Sequence, residues 1–137
     1  VVLLTNILNI QGIEPTYAES LATAGINSIE KLLESGSSKN GRTGISQSTG
    51  ISEKLILEWV NRADLTRVKG IGEKYSDLLE VAGVDTVVEL SKRVPENLHA
   101  KMVEVNEANK RVTRNPTLSE VKSWIEQAKE LPRMIQY

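Results

Sequence analysis

The chain has 137 residues and a net charge of −1, with 39% hydrophobic and 26% charged residues, the composition of a soluble globular protein of one domain, or of two small units sharing a core. It has no cysteine, which excludes disulfides and thiolate zinc sites and fits a cytoplasmic protein. With a pI of about 5.9 it lacks the overall basicity usual in a dedicated nucleic-acid binder, so any such role must rest on a local patch.

The opening VVLL is too short for the apolar core of a secretory signal and has no basic residues before it. No apolar run approaches the roughly 18 residues of a membrane span, so no membrane association is expected. A short helix over about Asn6–Ile10 leads into the turn Gln11–Glu14. Pro15 opens the next helix, where its missing N–H costs nothing. That helix runs to about Ala24 and stops at Gly25, a position that favours positive φ. Asn27 or Ser28 then caps a helix that turns Leu32 and Leu33 inward. The Gly/Ser-rich stretch SGSSKNGRTG, residues 35–44, reads as loop or frayed helix. SEKLILEWVNRA is amphipathic, with Leu55, Ile56, Trp59, Val60 and Ala63 on one face.

From Val68 the same order returns. Aligned at an offset of 58, residues 10–32 and 68–90 share seven identities, among them Gly12/Gly70, Ile13/Ile71, Tyr17/Tyr75, Leu21/Leu79 and Gly25/Gly83. Pro95 opens a helix over PENLHAKMVEVNEA, and Thr117 or Ser119 caps TLSEVKSWIEQAKEL. Trp59 aligns with Trp124 at an offset of 65, so the second copy carries seven extra residues in its middle. Pro132 ends the last helix, and LPRMIQY is expected to pack as an extended strap. The expected fold class is therefore all-α, a duplication whose repeats cover residues 1–63 and 64–137. Each repeat ends in a tryptophan-bearing helix, and the two form one compact domain.

A helix, a Gly-Ile-Gly turn and a second helix make the helix-hairpin-helix signature. Its glycines allow a tight turn and the close approach of another backbone. The turn leaves the first N–H groups of the following helix free, a favourable place for a phosphate that carries no sequence information. In the second copy, Gly70 and Gly72 shape the turn, Ile71 plugs the helix pair, and Arg67, Lys69 and Lys74 flank it. The first copy has no Lys or Arg between Asn9 and Glu19, and Glu14 stands where the second has Gly72. Hairpin one is read as a fold element and hairpin two as the anion site. Lys39 and Arg42, in a stretch free of acid, are candidates to extend that site. So are Lys101, Lys110, Arg111 and Arg114 in the inserted region. The competing reading is that both turns serve only to pack helices or to dock a protein. Tyr17, Tyr75, Trp59 and Trp124 occupy repeat-equivalent positions and read as core, which leaves no aromatic platform for stacking single-stranded bases.

The segments IQGIEPTYAESLATAGI, TGISEKLILEWVNRADL, VKGIGEKYSDLLEVAGVDTVVEL, ENLHAKMVEVNE and VKSWIEQAKELPR resemble the bacterial family called domain of unknown function 4332. That family is similar to the tandem helix-hairpin-helix (SAM-like, HhH2 type) domains of DNA repair and recombination proteins. The resemblance implies an all-helical fold and, by analogy, grip on duplex DNA across the minor groove without sequence preference. Two departures from the pattern are Glu14 and the glycine and serines of GRTGISQSTG.

Thr49–Ser52 before the Trp59 helix mimics a helix-turn-helix reader. Glu53, Lys54, Glu58 and Asn61 give that face little attraction for phosphate, and the segment reads as a capped helix of the bundle. No enzyme is expected. His99 is the single histidine and falls in an amphipathic helix, and no nucleophile elbow, metal motif or P-loop ending occurs. The Gly-Ile-Gly turn follows no strand, so it is not a dinucleotide fingerprint. No cofactor, metal or small-molecule substrate is expected. The partners expected are duplex DNA or, in the competing reading, a protein.

Overall fold

A computed structural model describes residues 6–137, and the opening run Val1–Leu4 lies outside them. Among the described residues the chain is all-helical, with eight α-helices and no strand. It divides into two units, one of Val1–Asp64 with Met134–Tyr137 and one of Leu65–Arg133.

In the first unit a single 3-10 turn, Ile7–Asn9, starts at Asn6, whose side chain accepts from the Leu8 N–H. Helix α1 spans Pro15–Thr23 and α2 spans Ile29–Gly36. The α1 helix ends in a Schellman motif: the Ile26 N–H bonds the Leu21 carbonyl at 2.8 Å and the Gly25 N–H bonds that of Ala22 at 2.9 Å. Of the two candidate caps for α2, Ser28 takes the role, accepting from the Lys31 N–H at 3.0 Å. Helix α4, Glu53–Leu65, carries Ile56, Trp59, Val60 and Ala63 into a core with Ile10, Ile13, Leu21 and Leu32.

The stretch 35–44, expected as loop or frayed helix, is mostly regular helix. Residues 35 and 36 complete α2, and Lys39–Thr49 form a regular helix, α3, capped by Ser38 on the Gly41 N–H. Two of the three glycines in this stretch, Gly36 and Gly41, are there for contact, while Gly44 faces open space. A Cβ on Gly41 would overlap the Ser35 carbonyl oxygen, and one on Gly36 would collide with Val60. Arg42 is the second surprise of this stretch. It is 4% exposed, and its guanidinium donates to Gly36 O at 2.8 Å, Ser37 O at 3.3 Å and Gln136 O at 2.7 Å. The cation sits where α2 ends, against the negative end of its dipole. Met134–Tyr137 belong to this unit: Ile135 is buried and the Gln136 N–H bonds the Ser37 carbonyl at 2.7 Å.

The second unit contains α5 (Glu73–Val81), α6 (Val87–Ser91), α7 (Pro95–Asn109) and α8 (Leu118–Glu130). The ending of α1 recurs at α5, with Val84 N–H to Leu79 O at 2.8 Å and Gly83 N–H to Glu80 O at 3.0 Å. Helices α6 and α7 pack on α8, and α5 packs on α7. Their shared core holds Val68, Ile71, Leu78, Leu79, Leu90, Leu98, Met102 and Trp124. Thr117, one of the two expected caps, closes a capping box with Glu120 at the start of α8. Both tryptophans are buried, and each meets its tyrosine in a tilted pair. The ring centroids are 5.0 Å apart for Tyr17–Trp59 and 5.2 Å for Tyr75–Trp124.

Candidate functional site

The two Gly-Ile turns share a backbone. Ile13 N–H bonds Ile10 O and Ile71 N–H bonds Val68 O, both at 3.1 Å. Ile13 and Ile71 are each 4% exposed and plug their own cores. Gly12 and Gly70 both have φ +99, a conformation that side chains rarely adopt. Both also lie under a tryptophan: a Cβ on Gly12 would stand 3.2 Å from Trp59 Nε1, and one on Gly70 would stand 2.8 Å from Trp124 Nε1. Each turn is clipped from the tryptophan helix three residues on. Arg62 donates to the Gln11 carbonyl. Gln127 at the equivalent place takes the Lys69 N–H on Oε1 at 2.9 Å and returns Nε2–H to the Lys69 carbonyl at 3.1 Å.

The turns differ at the residues that follow. Gly72 has φ −112 and ψ −154, an extended conformation open to any residue, and nothing lies within 4 Å of a Cβ built on it. Glu14 fills the equivalent place at φ −82, ψ 164. The fold therefore requires the first glycine of the motif and leaves the second position free. Gly72 caps α5 without a side-chain bond. The N–H groups of Gly72, Glu73 and Lys74 have no acceptor among the described residues. In the first unit Pro15 removes one of these donors, and the Glu14 carboxylate stands beside the rest.

Lys69 and Lys74 are exposed, Lys74 with 64% of its side chain in solvent and its Nζ 3.9 Å from Glu73. Arg67 is half-buried and donates to Pro132 O at 2.7 Å. Lys39 is exposed in the first turn of α3, and Arg42 is the buried cation described above. Both of these belong to the first unit, whereas Arg67, Lys69, Gly70, Ile71, Gly72 and Lys74 gather at one turn of the second. Lys101 pairs with Glu104 on the surface of α7.

The connection between α7 and α8 is built by a residue that charge-based reading passes over. Asn106 is 6% exposed. Its Nδ2 donates to Val112 O at 3.1 Å and Asn115 Oδ1 at 2.7 Å, and its Oδ1 accepts from Val112 N–H at 2.9 Å. The signal was there: Asn106 follows Leu98 and Met102 at helical spacing on the core face of α7. Arg114 then forks onto Glu120, both N–O distances being 2.9 Å. Its hydrogen bonds, with that of the Thr117 N–H, hold the Glu120 carboxyl down at about 2, and Glu120 raises the Arg114 guanidinium in turn. Tyr75 O–H donates to Arg114 O at 3.0 Å, which ties α5 to this connection. Lys74, Lys110 and Arg111 consequently line one cleft of about 550 Å³. Among the described residues no cluster of three His, Asp or Glu is placed to hold a metal, and no helix is long and apolar enough to cross a membrane.

No curated protein and no solved structure matches the chain. Residues 11–131, which contain both turns, both tryptophan helices and the α7–α8 connection, match the model of the family described as Domain of unknown function (DUF4332), and the chain belongs to that family.

Proposed function

We propose that the chain is a non-catalytic module of tandem helix-hairpin-helix type that binds duplex DNA without sequence preference through its second hairpin. The observation that carries this reading is the uncapped start of α5. Three backbone N–H groups, those of Gly72, Glu73 and Lys74, lack an acceptor at a helix N-terminus, and Lys69 and Lys74 stand exposed beside them. Donors of this kind, with the helix dipole behind them, suit a backbone phosphate. Gly70 and Ile71 shape the turn that presents them, and Arg67 sits one step back as a long-range charge. Arg42 takes no part, because it is 4% exposed and its guanidinium is turned onto backbone carbonyls of the first unit. Lys39 belongs to the first unit and is not part of this turn.

One observation favours the protein-docking alternative. Leu8 is 40% exposed beside a shallow, largely apolar groove lined by Ile7, Pro15, Ala18 and Ala22 in the first unit.

Anisotropy titration of a labelled random duplex at 50 and 200 mM salt decides between them. Electrostatic contact to phosphates gives binding that weakens steeply with salt. Lys69→Ala and Lys74→Ala each lower the salt slope by roughly one unit and weaken all sequences alike. Absence of binding at 50 mM salt, where such contacts are strongest, refutes the DNA reading and leaves protein docking.

A further inference from the structure

A cleft lies beside the start of α1 and another beside the start of α5, and their linings differ in kind. The first, in unit one, is lined by Thr16, Ser20, Thr49, Gly50 and Ser52, with no charged side chain. The second is lined by Lys74, Lys110 and Arg111 against a single carboxylate, Glu107. Thr16 and Lys74 are equivalent by the offset of the repeat. Gly50 and Lys110 are the left-handed caps of α3 and α7, each donating its N–H four residues back, to Ser46 O and Asn106 O.

At this cap the first unit has a glycine at φ 76, whereas the second has a lysine at φ 52, the one non-glycine positive φ among the described residues. Lysine is a poor choice for that backbone and glycine a good one. Its side chain brings a cation to the cleft. Arg111 is aimed by Asp77, a 5% exposed carboxylate on α5 at 3.4 Å, and 42% of the Arg111 side chain remains in solvent. An arginine held in this way keeps donors for a second acceptor.

We infer that the cleft of Lys74, Lys110 and Arg111 is a second phosphate subsite, and that Lys74 joins it to the phosphate at the start of α5. For the source of the phosphate this rests on the duplex-binding reading above. The ligand chemistry is a phosphate, supplied either by a backbone diester of the bound duplex or by a terminal monoester.

The test is an NMR titration of the 15N-labelled full chain with inorganic phosphate, at ionic strength matched with chloride, followed by duplex binding. Saturable shifts at Lys110 and Arg111, absent in chloride, support the subsite. Shifts confined to Gly72–Lys74, or shifts reproduced by chloride, overturn it while leaving the hairpin reading intact. Shifts at Lys110 and Arg111 without duplex binding sustain the subsite and sink the hairpin reading. Lys110→Gly separates folding from binding, since glycine suits φ 52. Its thermal midpoint is expected to match or exceed wild type, while its affinity for phosphate and for duplex falls by about tenfold, the loss of one charge-assisted contact. Undiminished affinity in both Lys110→Gly and Arg111→Gln overturns the inference. Duplexes with 5′-phosphate and 5′-hydroxyl ends assign the source: equal affinity marks a backbone diester, and preference for the phosphorylated end marks a monoester.

Discussion

Alanine at Gly70 and at Gly72, two residues apart, should destabilise to very different extents. At Gly70 the backbone φ is +99 and a new Cβ would lie 2.8 Å from Trp124 Nε1. The left-handed conformation costs an L-residue about 1–2 kcal/mol. Displacing an indole that is only 2% exposed adds about 1–3 kcal/mol of overpacking. Gly70→Ala should therefore destabilise the second unit by about 2–5 kcal/mol. At Gly72 the backbone is extended and no atom lies within 4 Å of the new Cβ. The only loss is the modest preference for glycine over alanine at a helix N-cap, about 0.5–1 kcal/mol. Gly72→Glu should be milder still, because a carboxylate at the start of α5 is favoured by the dipole by about 0.3–1 kcal/mol. Its effect should appear in duplex affinity, where it sets a negative charge against the bound phosphate. Urea denaturation followed by far-UV circular dichroism measures the stabilities, and anisotropy measures the affinity. Gly70→Ala within about 1 kcal/mol of wild type, or Gly72→Ala as costly as Gly70→Ala, would refute the division of labour between the two glycines.

Further expectations can be checked on the same footing. Arg42→Ala should cost about 2–5 kcal/mol, since it strips the Gly36 and Gln136 carbonyls of their donor and removes the longer of the two hydrogen bonds to Ser37 O, while Lys39→Ala one helical turn away should be neutral in the same melt. Trp59→Ala and Trp124→Ala should each cost about 3–5 kcal/mol as core truncations; a small loss for either would contradict its burial. Thr117→Ala should lose about 0.5–2 kcal/mol with the cap of α8. The Glu120 carboxyl is depressed from 4.5 to about 2 in the folded chain, so its contribution is complete above about pH 4.5 and disappears as pH falls toward 2. Glu120→Gln should flatten that part of the acid-stability curve, by an amount kept small by the exposure of the Arg114–Glu120 pair. An unchanged acid limb would show that the pair does not bear on stability.

How far each feature could be read from the sequence depended on how local its cause is. The turns, the Schellman endings and the caps Ser28 and Thr117 leave marks within a few residues, and those were legible. Helix α3 was not. Gly41 looks like a helix breaker until the Ser35 carbonyl is seen where its side chain would be. Arg42 reads as a candidate for the anion site because one of its acceptors, Gln136 O, lies 94 residues along the chain. Lys110 and Arg111 were visible as surplus charge in the inserted segment. Their convergence with Lys74 depends on Asn106 folding that segment back, and no count of charges contains it.

The internal repeat supplies a control that a single unit lacks, because the same backbone has been built twice from different side chains. What both copies keep is what the turn needs: a glycine at φ +99 under a tryptophan, an isoleucine plug, and a side chain from the tryptophan helix clipping the turn. What differs is not required by the backbone. Gly72 faces Glu14, Glu73 faces Pro15, Lys74 faces Thr16, and Lys110 faces Gly50. These four, among the many positions at which the copies differ, lie around the start of α5 or its cleft. Three of them, those at Gly72, Lys74 and Lys110, make the second copy more attractive to an anion than the first. Glu73 restores a donor that Pro15 lacks but adds a carboxylate of its own, 3.9 Å from Lys74. Elsewhere in the aligned stretch the second copy gains acid, Glu80, Asp85 and Glu89 standing where the first has Ala22, Asn27 and Lys31. A gain of anion attraction around the start of α5 and the cleft beside it is what a phosphate site retained in the second copy, and dispensed with in the first, would leave behind.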